Sequence, residues 1–240
     1  MLRVDRKLVV ATVVTTVTLV GACHTYVHSP PAQFATLESS RNLDLAQSEV
    51  HAELADLGEL FGPMVTVVTL GGAHGVSRSL EIRGEARVAP VRGDGAVLGT
   101  LGTVRLGVGA RASPHERQIL KVTGGLGAGH SPTGGFVAPD LGLRFGVRVQ
   151  RTEPLLNLTG FVSVPVTSPT VETSDGPRHA RTTGGVVATA GVRVAVGRRT
   201  SAALPPIELG VGATGAFLSD GNRDENRKMF GVVVGVARRF

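Results

Sequence analysis

From about residue 78 to the carboxy terminus the chain alternates residue classes with a period of two, and few folds accept that pattern. Leu141, Leu143, Phe145, Val147 and Val149 alternate with Gly142, Arg144, Gly146, Arg148 and Gln150. Val104, Leu106, Val108 and Ala110 alternate with Arg105, Gly107, Gly109 and Arg111, and Leu80, Ile82, Gly84, Ala86 and Val88 with Glu81, Arg83, Glu85 and Arg87. Weaker versions run at about 117–128, 155–166, 184–197, 204–218 and 228–240. Each such segment is a strand with one apolar and one polar face. Eight of them at near-regular spacing close into a barrel or stack as a sandwich. Composition removes the competitors. One Cys excludes an internal disulfide framework and CxxC-type sites. No apolar run after the amino terminus approaches the ~20 residues of a membrane-spanning helix.

The identity of the inward face separates a soluble barrel or sandwich from a membrane barrel. The polar face is built of Gly, Arg and Thr rather than Lys, Glu and Gln, which suits a narrow lumen in which Glu81 and Glu85 pair with arginines. The apolar face is mostly Val, Leu, Ala and Ile, a composition that suits lipid and underfills a soluble core. Phe136, Phe217 and Phe230 fall at one end of their strands and Phe240 at the other, a thin interfacial girdle. Connections near 113–116, 151–154 and 198–203 are short, whereas 129–135, 167–183 and 219–227 are longer and polar. The expectation is an all-β protein: an eight-stranded antiparallel transmembrane β-barrel over 78–240, with a soluble sandwich as the alternative. On the inward parity, Arg83, Arg87, Arg105, Arg111, Lys121, Arg144, Arg148, Arg193 and Arg239 outnumber Glu81, Glu85, Asp140 and Glu208. An open lumen would favour anions. Eight strands, however, enclose a space that side chains fill, so the lumen is expected closed and salt-bridged.

The amino terminus has a different organisation. Arg3, Arg6 and Lys7 precede an uncharged Leu8 to Val20, the pattern of a signal peptide over residues 1–22. Leu19-Val20-Gly21-Ala22-Cys23 resembles a bacterial lipobox, which implies a diacylglycerol thioether on Cys23 and a lipidated tether over 23–35. By the same resemblance, His24 after the Cys points to the outer membrane. Leu43, Val50 and Leu57 recur every seven residues beside Leu54 and Phe61, a helical spacing with Thr36 as cap and Gly62-Pro63 as stop. Residues 36–77 therefore read as a periplasmic arm: a short, acidic amino-terminal helix and an entry segment. Residues 63–70 (PMVTVVTL) are a candidate ninth strand, set aside because single-chain bacterial barrels prefer an even count.

The last strand carries a further likeness. Phe230, Val232, Val234 and Val236 are in phase with the terminal Phe240, and this resembles the carboxy-terminal signal that the barrel-insertion machinery recognises. Residues 78–240 resemble small outer-membrane barrels of the OmpA, OmpX and opacity-protein kind. The resemblance implies outer-membrane lipid, the insertion machinery and other envelope proteins as partners. It implies a structural or interaction component of the envelope that anchors the arm and presents surface loops within a trans-envelope complex. The alternatives are a narrow anion-favouring pore for small solutes and a lipid A-modifying barrel enzyme.

Chemistry-bearing residues are sparse. His130-Ser131 and His179, the latter near Ser174 and Asp175, are expected in outer loops, away from the outward strand positions a lipid-cleaving site would use. No catalytic set is assigned. His24 and His28 lack a third ligand, so neither a metal nor a cofactor is expected. Arg92-Gly93-Asp94 reads as a tight turn, and Gly71-Gly72 and Gly124-Gly125 follow no βα unit. The net charge of +6 invites nucleic acid, but export and confinement of arginines to one strand face exclude that partner.

Overall fold

The computed structural model describes residues 29–58, 64–93, 96–112, 118–167, 171–173, 176–197, 207–219 and 226–240. The alternating segments are strands, and each neighbouring pair is antiparallel. In chain order they are β1 (Ser48–Gly58), β2 (Met64–Gly75), β3 (Leu80–Gly93), β4 (Ala96–Arg111), β5 (Gln118–Ser131) and β6 (Gly134–Val147). They continue with β7 (Thr152–Pro165), β8 (Val171–Thr173), β9 (Gly176–Arg178), β10 (Thr183–Val196), β11 (Ile207–Ser219) and β12 (Arg227–Arg239). All but β8 and β9 form one closed barrel in the order β1-β12-β11-β10-β7-β6-β5-β4-β3-β2, while β8 and β9 make a small separate hairpin.

The alternation sorts side chains as a membrane barrel requires. Within β4, Leu106 is 68% exposed on the outer face while its neighbour Arg105 is 1% exposed within the lumen. Outward Leu70, Val104, Leu141, Phe230 and Val232 are likewise exposed, and inward Arg83, Lys121 and Arg144 are buried. Closure pairs the strand edges, so the backbone hydrogen bonds are satisfied within the wall and the apolar exterior can face hydrocarbon.

Two expectations are corrected. The barrel has ten strands, not eight, because β1 and β2 both join it, which preserves the even count. The acidic amino-terminal helix does not exist among the described residues, and 36–77 is no periplasmic arm. Residues 36–43 lie inside the barrel and most of the rest forms β1 and β2 in its wall. Glu49, His51, Glu53, Ala55 and Leu57 face inward between outward Val50, Ala52, Leu54 and Asp56. β1 thus obeys the same period of two as the other strands, and it pairs with β2 on one side and β12 on the other.

The barrel has two distinct rims. At one, Ser48 and Phe240 exchange backbone hydrogen bonds (Phe240 N–H to Ser48 O 2.8 Å, Ser48 N–H to Phe240 O 3.3 Å), closing β1 on the end of the chain. The connections 76–79 and 148–151 lie at this near rim. The far rim carries the 132–133 turn and the 166–182 connection that includes the β8–β9 hairpin. Residues 1–28, with the signal peptide, Cys23, His24 and His28, lie outside the described residues, as do Ser174, Asp175 and Asp94.

Candidate functional site: a lumen filled by the chain itself

Residues 29–43 run without regular secondary structure through the interior of the barrel, from the far rim to the near one. At the far rim, Ser29 N–H donates to Arg181 O at 3.4 Å. At the near rim, Asn42 Nδ2 donates to Ser79 O at 2.6 Å. The chain then reverses. Gln47 N–H closes on Asp44 O, Ala46 N–H on Gly75 O, and Ala46 takes a left-handed φ of 62°, which L-residues adopt at some cost. The reversal delivers the chain into β1. Ten strands enclose more room than eight, and the additional space holds one extended segment.

A backbone without secondary structure must find buried partners for its N–H and C=O groups. The wall supplies them. Leu37 N–H donates to Glu53 Oε1 (2.9 Å), Ser40 N–H to Glu153 Oε1 (2.9 Å) and Leu43 N–H to Glu81 Oε2 (3.0 Å). Asn157 Nδ2 donates to Thr36 O at 2.9 Å and Glu38 O at 3.1 Å, and Arg87 Nη1 donates to Ala32 O. Ser39 Oγ and Ser40 Oγ both donate to the Glu153 carboxylate.

The threaded segment also completes the charge balance. Glu38, 3% exposed, reaches Arg83 Nη1 and Lys121 Nζ with Oε1, each at 3.0 Å, and Arg144 Nε with Oε2 at 3.3 Å. Arg144 otherwise bonds neutral acceptors: Gln33 Oε1 of the same segment, Thr159 Oγ1 and Leu158 O. Wall pairs continue outward from this centre. Arg83 and Lys121 share Glu81 Oε1 at 2.7 and 2.9 Å, and Arg105 grips Asp140 bidentately at 2.6 Å. Glu85 meets Arg87 and Arg105, while Glu49 meets Arg239 at 2.8 Å and Arg193 at 3.4 Å. Charge-assisted bonds of this kind hold geometry where solvent is excluded.

Above this charged layer, toward the far rim, the lumen is apolar. Phe34 is buried there among inward-facing side chains that include Leu101, Phe136, Phe161 and Leu218. Phe136 is thus a lumen residue and not part of an interfacial girdle, whereas Phe217, Phe230 and Phe240 are exposed. Lumenal glycines make room for the segment. Added Cβ atoms at Gly191, Gly210 and Gly212 would come within 3.0 Å of Leu37 side-chain carbons. One at Gly127 would collide with Ala32 Cβ, one at Gly146 with Ser40 Oγ and one at Gly75 with Asp44 O.

The charged residues singled out in the sequence are brought together unevenly. Glu81, Arg83, Glu85, Arg87, Arg105, Lys121, Arg144 and Arg193 form the buried network, and Glu208 joins Arg193 at 2.8 Å. Arg111 and Arg148 lie at the near rim, where Arg148 is only part-buried. Four carboxylates were missed: Glu49, Glu53 and Glu153 on the wall and Glu38 within it. They raise the counted lumenal carboxylates from four to eight, which narrows the surplus of positive charge. Phe230, Val232, Val234, Val236 and Phe240 stand exposed along β12 and the chain end. Arg238, which breaks their outward pattern, lies 5.3 Å from the centroid of the Phe240 ring, a cation–π contact.

Of the catalytic candidates, His179 lies in the far-rim connection, while Ser174 and Asp175 beside it are outside the described residues. His130 is in β5 rather than in a loop, exposed on the outer face, while Ser131 turns inward and hydrogen-bonds Thr133 Oγ1 at 2.8 Å. No cluster of three or more His, Cys, Asp or Glu side chains with metal-binding geometry exists among the described residues.

No family model and no curated protein matches the chain. Several solved structures are similar to the chain at low identity. The β-domain of the Bordetella autotransporter BrkA is 12% identical over 81% of this chain and 99% of its own, with a TM-score of 0.46. The outer-membrane protease OmpT of Escherichia coli is 8% identical over 84% and 100%, TM-score 0.43. Neisserial surface protein A is 12% identical over 81% and 96%, TM-score 0.38. A closed antiparallel barrel with an apolar exterior and a charged lumen is the architecture of the bacterial outer-membrane β-barrels.

Proposed function

We propose that this protein is a plugged outer-membrane barrel, a structural and interaction component of the bacterial envelope and neither an open pore nor a lipid A-modifying enzyme. The observation that carries the reading is the threaded segment 29–43. Its Phe34 fills the apolar layer and its Glu38 ties three cationic side chains of the wall, so the conduit is occupied by the chain's own residues. The near rim, where Phe240 lies, faces the periplasm, and the far rim, which carries 166–182, the longest connection between barrel strands, faces outward. Other envelope proteins or surface polymers would meet the barrel at that outer rim. The exposed row from Phe230 to Phe240 on β12 suits recognition by the insertion machinery, and Cys23 carries the lipid.

Planar-bilayer recordings test the plugged state. The full-length protein is expected to be silent, and steady conductance would make the pore reading the better one. Incorporation of a labelled fatty acid that disappears in Cys23→Ser tests the lipidation. Retention of lipid A chemistry unchanged by the protein, with or without His130→Ala and His179→Ala, tests the non-enzymatic reading.

A further inference from the structure

The direction of threading carries a consequence for everything that precedes the plug. Ser29 is held at the far rim by Arg181, while Ala46 and Ser48 are held at the near rim by Gly75 and Phe240. The segment therefore passes through the barrel once, from far to near, before β1 begins. It fills the passage it uses. Phe34, Leu37 and Glu38 are each no more than 3% exposed, and the wall around them is hydrogen-bonded strand to strand all the way round. A second pass of the same chain back through the lumen has no room, and a pass between strands has no gap.

We propose that the chain preceding Ser29 is displayed at the outer mouth of the barrel, on the cell-surface side, and not in the periplasm. This rests on the membrane orientation given above. Given that orientation, the far-rim position of Ser29 and the filled lumen carry it, because the segment that follows Ser29 occupies the passage. Six residues of extended chain reach about 20 Å at most, so a group carried at Cys23 stays on the same side, within reach of the outer leaflet. The barrel then acts as a conduit that holds its own amino-terminal end outside, with the Glu38 cluster and the backbone bonds at Leu37, Ser40 and Leu43 as the grip.

Three full-length variants with one short epitope each test the proposal: inserted immediately before Ser29, between Thr173 and Gly176, or within the 76–79 turn. Antibody is applied to intact and permeabilised cells, and immunoblots of the same cells show that the tag is retained. Labelling of the first two tags on intact cells, and of the third only after permeabilisation, is the expected result. Labelling of the hairpin tag alone on intact cells would overturn the proposal while leaving the orientation standing. Labelling of the 76–79 tag on intact cells, with the hairpin tag hidden, would overturn the orientation and the display together. Loss of the Ser29 tag from the mature protein would also overturn it.

Discussion

Glu38 shows how much of this barrel depends on single side chains. Its carboxylate is the only one within ion-pair distance of Arg144 among the described residues. Removing one partner of a buried ion pair leaves an uncompensated charge, at a cost of about 3–5 kcal/mol. Glu38→Gln should therefore lower the thermal unfolding midpoint of the detergent-solubilised barrel, read as the temperature at which its gel migration changes to the unfolded position. An unchanged midpoint would mean that Arg144 is satisfied by neutral acceptors alone. Gly210 gives a steric counterpart. A Cβ there would stand 3.0 Å from Leu37 Cδ1 and meets no backbone that close. Gly210→Val should loosen the plug, with an overpacking cost of about 1–3 kcal/mol and brief openings in bilayer recordings. Gly84→Val, facing lipid with only Leu106 Cδ2 at 3.6 Å, should leave both readouts unaltered. At this scale the sequence was legible where a side chain sat in a strong alternation. Arg105 and Arg144 declare their inward parity through Leu106 and Leu143. Glu38 gives no such sign, because its burial depends on ten strands enclosing a segment that has no period of its own.

The element most easily misread is β1. Leu43, Val50 and Leu57 are spaced by seven, which suggests a helix, yet seven is odd and puts alternate members on opposite faces of a strand. Val50 faces lipid and Leu57 the apolar layer of the lumen, while Leu43 belongs to the plug. The run Glu49-Val50-His51-Ala52-Glu53-Leu54 does alternate, and its inward acids are the partners of Arg193, Arg239 and Leu37 N–H. The signal was present but masked by acidic residues that usually mark a solvated helix face. In β3 and β4 the alternation of apolar side chains with arginine and glycine is longer, so it survives without tertiary knowledge. Since β1 contributes Glu49 and Glu53, the wall alone is nearly balanced in charge. Deleting residues 29–43 should open a steady conductance with little preference between anions and cations. Strong anion selectivity in reversal-potential measurements would contradict the lumenal placement of Glu49, Glu53 and Glu153.

The whole barrel closes through β1. It pairs with β12 from Glu49 opposite Arg239 to Gly58 opposite Phe230, and with β2 along its entire length. A chain beginning at Arg78 would keep eight strands, and its alternation alone looks sufficient for a barrel of that size. It would lack more than wall length, because β3 and β12 would face each other as new partners, unpaired in the native fold. Arg239 and Arg193 would lose Glu49, and Arg83 and Lys121 would lose Glu38. Exposed edges that cannot pair in register invite aggregation, and buried cations without carboxylates oppose closure. The chain from Arg78 should thus fail to show the heat-modifiable migration of a closed barrel, and should accumulate as aggregate or be degraded. Restoring residues 48–77 without the plug should recover closure, as a barrel of lower thermal stability than the full chain. A heat-modifiable eight-stranded product from Arg78 onward would show that closure does not need β1 and β2. The plug's contacts with Glu53 and Glu81 would then be secondary to a fold already complete.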